Sequence, residues 1–165
     1  TAHVAQAFGM RTVGVRDSGK SDPHIEVMYK VDQLDKALAE GDYVVNILPL
    51  TDETHGLFNQ ARFSAMKDTA IFINVGRGQT VVTDDMMRAL QDGSLAGAGL
   101  DVFEEEPLPS DHPLWTMDNV MITPHTAGDT DRYSERAVAI FLENLKNYVN
   151  GEPLSRNVID YSKSY

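Results

Sequence analysis

The stretch AIFINVGRGQTVV, Ala70–Val82, decides the fold. Its opening, Ala70 to Val75, is apolar except for Asn74 and lacks the in–out alternation of a half-exposed strand. Such a run reads as a strand buried on both faces, as strands of parallel sheets are. It stops at Gly76-Arg77-Gly78, where one guanidinium stands between two residues without side chains. Two readings are open on these residues alone. One is a turn with a solvated arginine, since arginines are mostly exposed. The other is a carboxylate-binding arginine at the lip of a sheet, because the planar fork of donors suits a carboxylate. In that second reading the glycines let a ligand approach the backbone closely.

Working outward, VAQAFG reads as a helix end stopped by Gly9, and RTVGV (Arg11–Val15) as a short strand. VDQLDKALAEG places Leu34, Ala37 and Leu38 on one helical face and stops at Gly41. DYVVNIL is a continuous apolar strand, and NQARFSAMK a short helix. DDMMRALQDG carries acids in its first turn, where the helix dipole favours them, and ends at Gly93. LAGAGLDVF and NVMIT are two further strands. Val138, Phe141, Leu142, Leu145, Tyr148 and Val149 then form the apolar stripe of a long helix. The order β-α-β-α-β-α-β-β-α predicts an α/β domain, a doubly wound parallel sheet with helices on each face.

Composition narrows the function. Of 165 residues, 42% are hydrophobic, enough for a packed core. The net charge of −11, from 25 acidic against 14 basic residues, argues against a nucleic-acid partner, which needs a basic stripe. No apolar run approaches the roughly 20 residues of a membrane span. The chain has no cysteine, which excludes disulfides, thiolate catalysis and cysteine-based zinc sites, and fits a reducing cytoplasm. No spacing of histidines and acids resembles a metal site, and no G-x-S-x-G elbow is present. The chain opens without Met and already in helical pattern, as a fragment would.

In open α/β sheets ligands bind beyond the carboxyl ends of the strands. The residues in that position are Pro49-Leu50-Thr51, Gly76-Arg77-Gly78, Asp101 with Glu104 to Glu106 behind it, and Pro124-His125 with Ala127-Gly128. An arginine, several acids and a histidine are thus expected on one rim. Histidine exchanges protons near neutrality, and a neighbouring carboxylate favours its charged form. Glu106 is the candidate partner of His125. His3, His24, His55 and His112 have no comparable placement. Of the three successive glutamates at most one is expected to act, the others being solvated. Asp101 directly follows an apolar strand and is less readily explained by solvation.

With these residues in view, the chain resembles the D-isomer-specific 2-hydroxyacid dehydrogenase family, nearest its glyoxylate/hydroxypyruvate reductase-like members. The matching stretches are FGMRTVGVRDSGK, GDYVVNILPLTDETHGLF, MKDTAIFINVGRGQTVV, DDMMRALQDGSLAGAGLDVFEEEPLP and HPLWTMDNVMITPHTAG. The resemblance implies hydride transfer between a nicotinamide cofactor and a small 2-keto or 2-hydroxy acid. It implies that Arg77 binds the substrate, that His125 donates the proton, and that Glu106 keeps His125 protonated. Leu48, Pro49, Thr54, Val75, Gly76, Asp101 and Gly128 fall in cofactor-contact segments. NAD-preferring relatives carry an acid after the second strand, to bind ribose hydroxyls. Here Arg16 stands there, with Ser18 and Lys20 close by, which favours a 2′-phosphate; the expectation is NADP(H), with NAD(H) as the alternative through Asp17.

The family's glycine-rich phosphate loop and first strand are expected before Thr1. Residues 1–128 then form an incomplete dinucleotide-binding domain, and 129–165 a helix and tail returning to a substrate domain. The resemblance further implies a cytoplasmic homodimer, and a fragment inactive alone. A non-catalytic, corepressor-like binding protein on the same scaffold is the alternative.

Overall fold

A computed structural model describes residues 1–159. The chain divides into two compact units, Thr1–Thr123 and Pro124–Tyr165. In the first unit, α1 (Ala2–Ala7) precedes β1 (Val13–Val15) and β2 (Val27–Tyr29). There follow α2 (Leu34–Glu40), β3 (Tyr43–Asn46), α3 (Gln60–Ser64), β4 (Ile71–Asn74), α4 (Thr83–Asp92), β5 (Gly97–Leu100) and β6 (Val120–Ile122). All strand pairs are parallel: β1 with β2 in one sheet, and β3-β4-β5-β6 in another. This is the α/β, Rossmann-like layout expected. Among the described residues, β1 pairs only with β2, and β3 only with β4.

Two expectations need correction. The strand β2 was not foreseen: three residues, Val27-Met28-Tyr29, are too short to show a period, and the partner β1 supplies the pairing that makes them a strand. Nor are the strands buried on both faces. Val44, Phe72, Ala98 and Val120 lie side by side in register and pack into one core with Leu34 and Leu38 of α2, Phe63 of α3, and Met86 and Leu90 of α4. Phe63 meets Phe72 edge-on with ring centroids 5.3 Å apart. The opposite row, Val45, Ile73, Gly99 and Met121, is equally apolar but more open; Met121 is 72% exposed. A continuous apolar run reports what the side chains are, not which face this unit's own helices cover.

Helix ends follow local chemistry. Asn59 caps α3 by accepting from the N–H groups of Ala61 and Arg62. Gly93 ends α4 in the left-handed conformation, φ 79°. In the second unit, α5 (Tyr133–Val149) carries the expected stripe from Val138 to Val149, with no buried residue. Its tail folds back on it: Asn144 Oδ1 accepts from the N–H groups of Ser155 and Arg156, and Arg156 pairs with Glu143 at 3.2 Å. The end of the tail, 160–165, lies outside the described residues. No helix among the described residues is long and apolar enough to cross a membrane.

The small sheet is tied to α2 by polar contacts. Tyr29 donates to Glu40 Oε1 at 2.5 Å, and Arg11 reaches Glu40 Oε2 at 2.6 Å. The Tyr29 hydroxyl first, and the Arg11 guanidinium second, hold the Glu40 carboxyl below its ordinary range. A depressed carboxyl stabilises the fold above its unfolded pKa, and that contribution disappears as pH falls through the folded value. Glu40→Gln is therefore expected to lower the melting temperature near neutrality and to narrow its gap from wild type in acid. Thermal melts across the acid range check this; a constant gap would contradict it.

Candidate functional site

Register sets the site. Asn46, Asn74, Leu100 and Ile122, the last residues of β3 to β6, form one row across the sheet. The chains leaving these strands therefore start side by side on one rim. Backbone bonds continue one residue further: Val75 N–H donates to Asn46 C=O, Asp101 N–H to Asn74 C=O, and Thr123 N–H to Leu100 C=O. Arg77 follows β4, and Asp101 and Glu106 follow β5. His125 stands three residues past β6, at the start of the second unit, with φ 54°.

The glycines around Arg77 have a different reason from the expected one. They admit neighbouring backbone rather than clear space for a ligand. A Cβ on Gly76 would stand 2.7 Å from the carbonyl oxygen of Leu48. One on Gly78 would stand 1.7 Å from the carbonyl oxygen of Phe103 and 2.6 Å from the nitrogen of Glu104. The Gly-Arg-Gly turn is thus wedged between the segments that leave β3 and β5. Phe103 connects it to an acid: its N–H donates to Glu106 Oε1 at 2.9 Å.

The acidic run divides its work. Glu104 Oε2 accepts from Thr83 N–H at 2.6 Å, at the first residue of α4. Helix starts have unsatisfied N–H groups and favour negative charge, and Val82 at the N-cap supplies no side-chain bond. Glu104 fills that role. Glu105 is exposed, and the Glu106–Pro107 peptide is cis. Asp101 is buried and accepts from Thr123 Oγ at 2.5 Å, which joins the ends of β5 and β6.

Three polar residues missed in the sequence lie directly behind Arg77. Asn46, Asn74 and Thr80 are at most 2% exposed. Asn46 Nδ2 donates to Asn74 Oδ1 at 3.0 Å and to Thr80 Oγ1 at 2.7 Å. Thr80 Oγ1 donates to the Arg77 carbonyl at 2.6 Å. The guanidinium is exposed and bonds to the Gly76 carbonyl at 2.8 Å. A signal for the asparagines existed: each is the polar interruption of an apolar strand just before the rim.

The expected cofactor residues fall into three places. Arg16 and Ser18 are exposed after β1; Arg16 lies 3.9 Å from Asp22, and Ser18 Oγ accepts from Lys20 N–H. The Arg16 guanidinium thus faces an acid on one side and is otherwise exposed. Leu48 is half-buried against the core just past β3, and Pro49 and Val75 are exposed on the segments leaving β3 and β4. Thr54 closes the segment leaving β3 upon itself, donating to the Pro49 carbonyl at 2.7 Å and accepting from Thr51 N–H at 2.8 Å. Gly76 is buried against Leu48, as described, and Gly128 is exposed in the second unit. Among the described residues no group of three or more histidines and acids is placed to hold a metal.

Parallel strands feeding a rim of arginine and acids define a dinucleotide-binding domain of the dehydrogenase class. Residues 1–127 match the model for the NAD binding domain of D-isomer specific 2-hydroxyacid dehydrogenases, and the chain belongs to that family. It is 46% identical over 136 residues to glyoxylate/hydroxypyruvate reductase B of Enterobacter sp., covering 82% of this chain and 41% of that protein. A D-isomer specific 2-hydroxyacid dehydrogenase from Xanthobacter autotrophicus, solved with NADPH and MES, superposes with TM-score 0.92 at 37% identity, over 99% of this chain and 66% of that one. An NADPH-dependent glyoxylate/hydroxypyruvate reductase from Sinorhizobium meliloti, solved with NADP and sulfate, gives 0.91 at 34% identity, over 99% and 52%. The chain spans about half the length of the curated relatives it matches, or less.

Gly78→Ala forces a side chain into the Phe103 carbonyl. Overpacking of this kind costs about 1–3 kcal/mol, and more where backbone must move. Chemical denaturation is expected to show a loss at or above that range, and an unchanged midpoint would refute the wedge.

Proposed function

We propose that this chain is the cofactor-binding part of an enzyme that reduces a small 2-keto acid, glyoxylate or hydroxypyruvate in type, to the D-2-hydroxy acid. The observation that carries the proposal is Arg77, held at the strand rim of a chain that belongs to this dehydrogenase family. The names of the similar reductases support the substrate class. The cofactor would rest on the apolar stretch of Leu48, Pro49 and Val75, with Asp101 and Gly128 in the same contact segments. Arg16 and Ser18 would hold the 2′-phosphate of NADP(H), in preference to NAD(H). When bound, the cofactor supplies a hydride to the carbonyl carbon.

The chain's own residues do the rest. Arg77 binds the substrate carboxylate in a bidentate pose and polarises the keto oxygen, where negative charge develops. His125 donates the proton to that oxygen as general acid. Glu106 is assigned as its carboxylate partner by its place before Pro107 in the family motif. Residues 1–128 would form the nucleotide-binding domain, and 129–165 would return to the rest of a cytoplasmic, homodimeric protein.

NADPH oxidation by the whole protein with glyoxylate and hydroxypyruvate tests the assignment. Arg77→Ala is expected to lower kcat/KM by about 10²–10³-fold, the effect of removing a donor from developing charge. Cofactor binding without turnover of any keto acid would instead support the corepressor-like reading. Arg16→Ala is expected to raise KM for NADPH and leave NADH little affected. A clear NADH preference in the wild-type protein would sink the 2′-phosphate assignment.

A further inference from the structure

The buried amides behind Arg77 have fixed orientations. A backbone N–H only donates, so the Leu48 N–H, 3.1 Å from Asn46 Oδ1, identifies that atom as oxygen. Asn46 Nδ2 must then face Asn74 Oδ1 and Thr80 Oγ1, as observed. Asn74 Oδ1 also accepts from Gly76 N–H at 3.1 Å, which leaves Asn74 Nδ2 to reach the Arg77 carbonyl at 3.3 Å. Thr80 Oγ1 accepts from Asn46, so its own proton goes to the Arg77 carbonyl. A directed chain of donors therefore runs from Leu48 through Asn46 and Thr80 to the backbone of Arg77.

The destinations of these bonds are informative. Those side-chain bonds that leave the trio end on rim backbone: Leu48 N–H, Gly76 N–H and the Arg77 carbonyl. Among the described residues none reaches an α-helix; the Arg77 carbonyl is that of the N-cap of the short 3-10 turn Gly78–Thr80. Stability alone does not call for three buried polar side chains, since an apolar set of the same shape serves it as well. Their use here is to join the segment leaving β3 to the turn leaving β4.

We propose that Asn46, Asn74 and Thr80 are positioning residues for the reaction. They fix the backbone of Arg77 relative to Leu48 and Pro49, and so set the distance between the bound keto acid and the bound cofactor. The proposal rests on Arg77 being the substrate-binding arginine. It assigns these three residues no contact with substrate or cofactor.

Thr80→Val keeps the shape and removes the hydroxyl; Thr80→Ser restores it. In the whole protein with NADPH, Thr80→Val is expected to raise KM for glyoxylate and to lower kcat/KM by about 10- to 100-fold, the scale of a displaced catalytic geometry. KM for NADPH should change little, and Thr80→Ser should recover most of the loss. Calorimetric binding of oxamate, a non-reacting 2-keto acid analogue, to the NADPH-loaded protein should weaken in parallel. On an Arg77→Ala background, Thr80→Val should cause no further loss, because coupled positions are non-additive. Equal losses on both backgrounds, or oxamate binding unmoved by Thr80→Val, would overturn the positioning role. If Arg77→Ala alone changes neither turnover nor oxamate binding, the substrate-arginine assignment fails and the positioning role falls with it. Should Thr80→Val not fold, Thr80→Cys keeps the shape with a weaker donor and carries the same two expectations.

Discussion

The site depends on backbone meeting backbone at the strand rim. Phe103 presses its carbonyl where a Cβ of Gly78 would be, and Leu48 does the same at Gly76. Three separate strand exits are thereby brought closer than side chains allow. Each then borrows order from the next. The Phe103 N–H holds Glu106, and the Asn46 amide holds Leu48. A loop alone would place a guanidinium loosely, since a long side chain has many rotamers. Here the loop itself has little freedom left, so the backbone that carries this exposed arginine is fixed.

Much of the layout was legible. Long apolar runs such as Ala70–Val75 and the stripe of α5 carry strong periodic or compositional signals. The rim positions of Arg77, Asp101 and Glu106 followed from a rule of parallel sheets, that chemistry gathers past the carboxyl ends of strands. What escaped was set by tertiary partners. β2 is a strand because β1 is beside it. The openness of Met121 and Val45 depends on what this unit's helices cover. Glu104 looked solvated because its partner, the start of α4, lies 21 residues back in the sequence. The reason for Gly76 and Gly78 escaped in the same way. Glycine reports that something comes close, and a sequence does not say whether that is a ligand or another loop.

Asn46 and Asn74 show where the two kinds of information meet. Each interrupts an apolar strand, which a sequence displays openly. That they bond to each other follows only once β3 and β4 are paired as neighbours. Burying them would be unfavourable singly; their hydrogen bonds are mutual, so the cost falls away only for the set. The network is therefore both a consequence of the strand pairing and a constraint on its register. A slip of one residue between β3 and β4 would leave both amides without their partners.

Charge gives the arrangement its last condition. The chain carries a net −11, yet the proposed ligands, a phosphate-bearing cofactor and a carboxylate, are anions. The overall field opposes them. Exposed charges are screened beyond about 8 Å at physiological ionic strength, so the outcome is decided by the few groups within that range. Arg16 after β1 and Arg77 after β4 are cations at those two places. Among the described residues no carboxylate bonds to Arg77, and its guanidinium donates to the neutral Gly76 carbonyl, while Glu104 accepts from Thr83 N–H and Glu106 from Phe103 N–H. The cation that faces the proposed acidic ligand is thus exposed, in a protein whose overall charge is acidic.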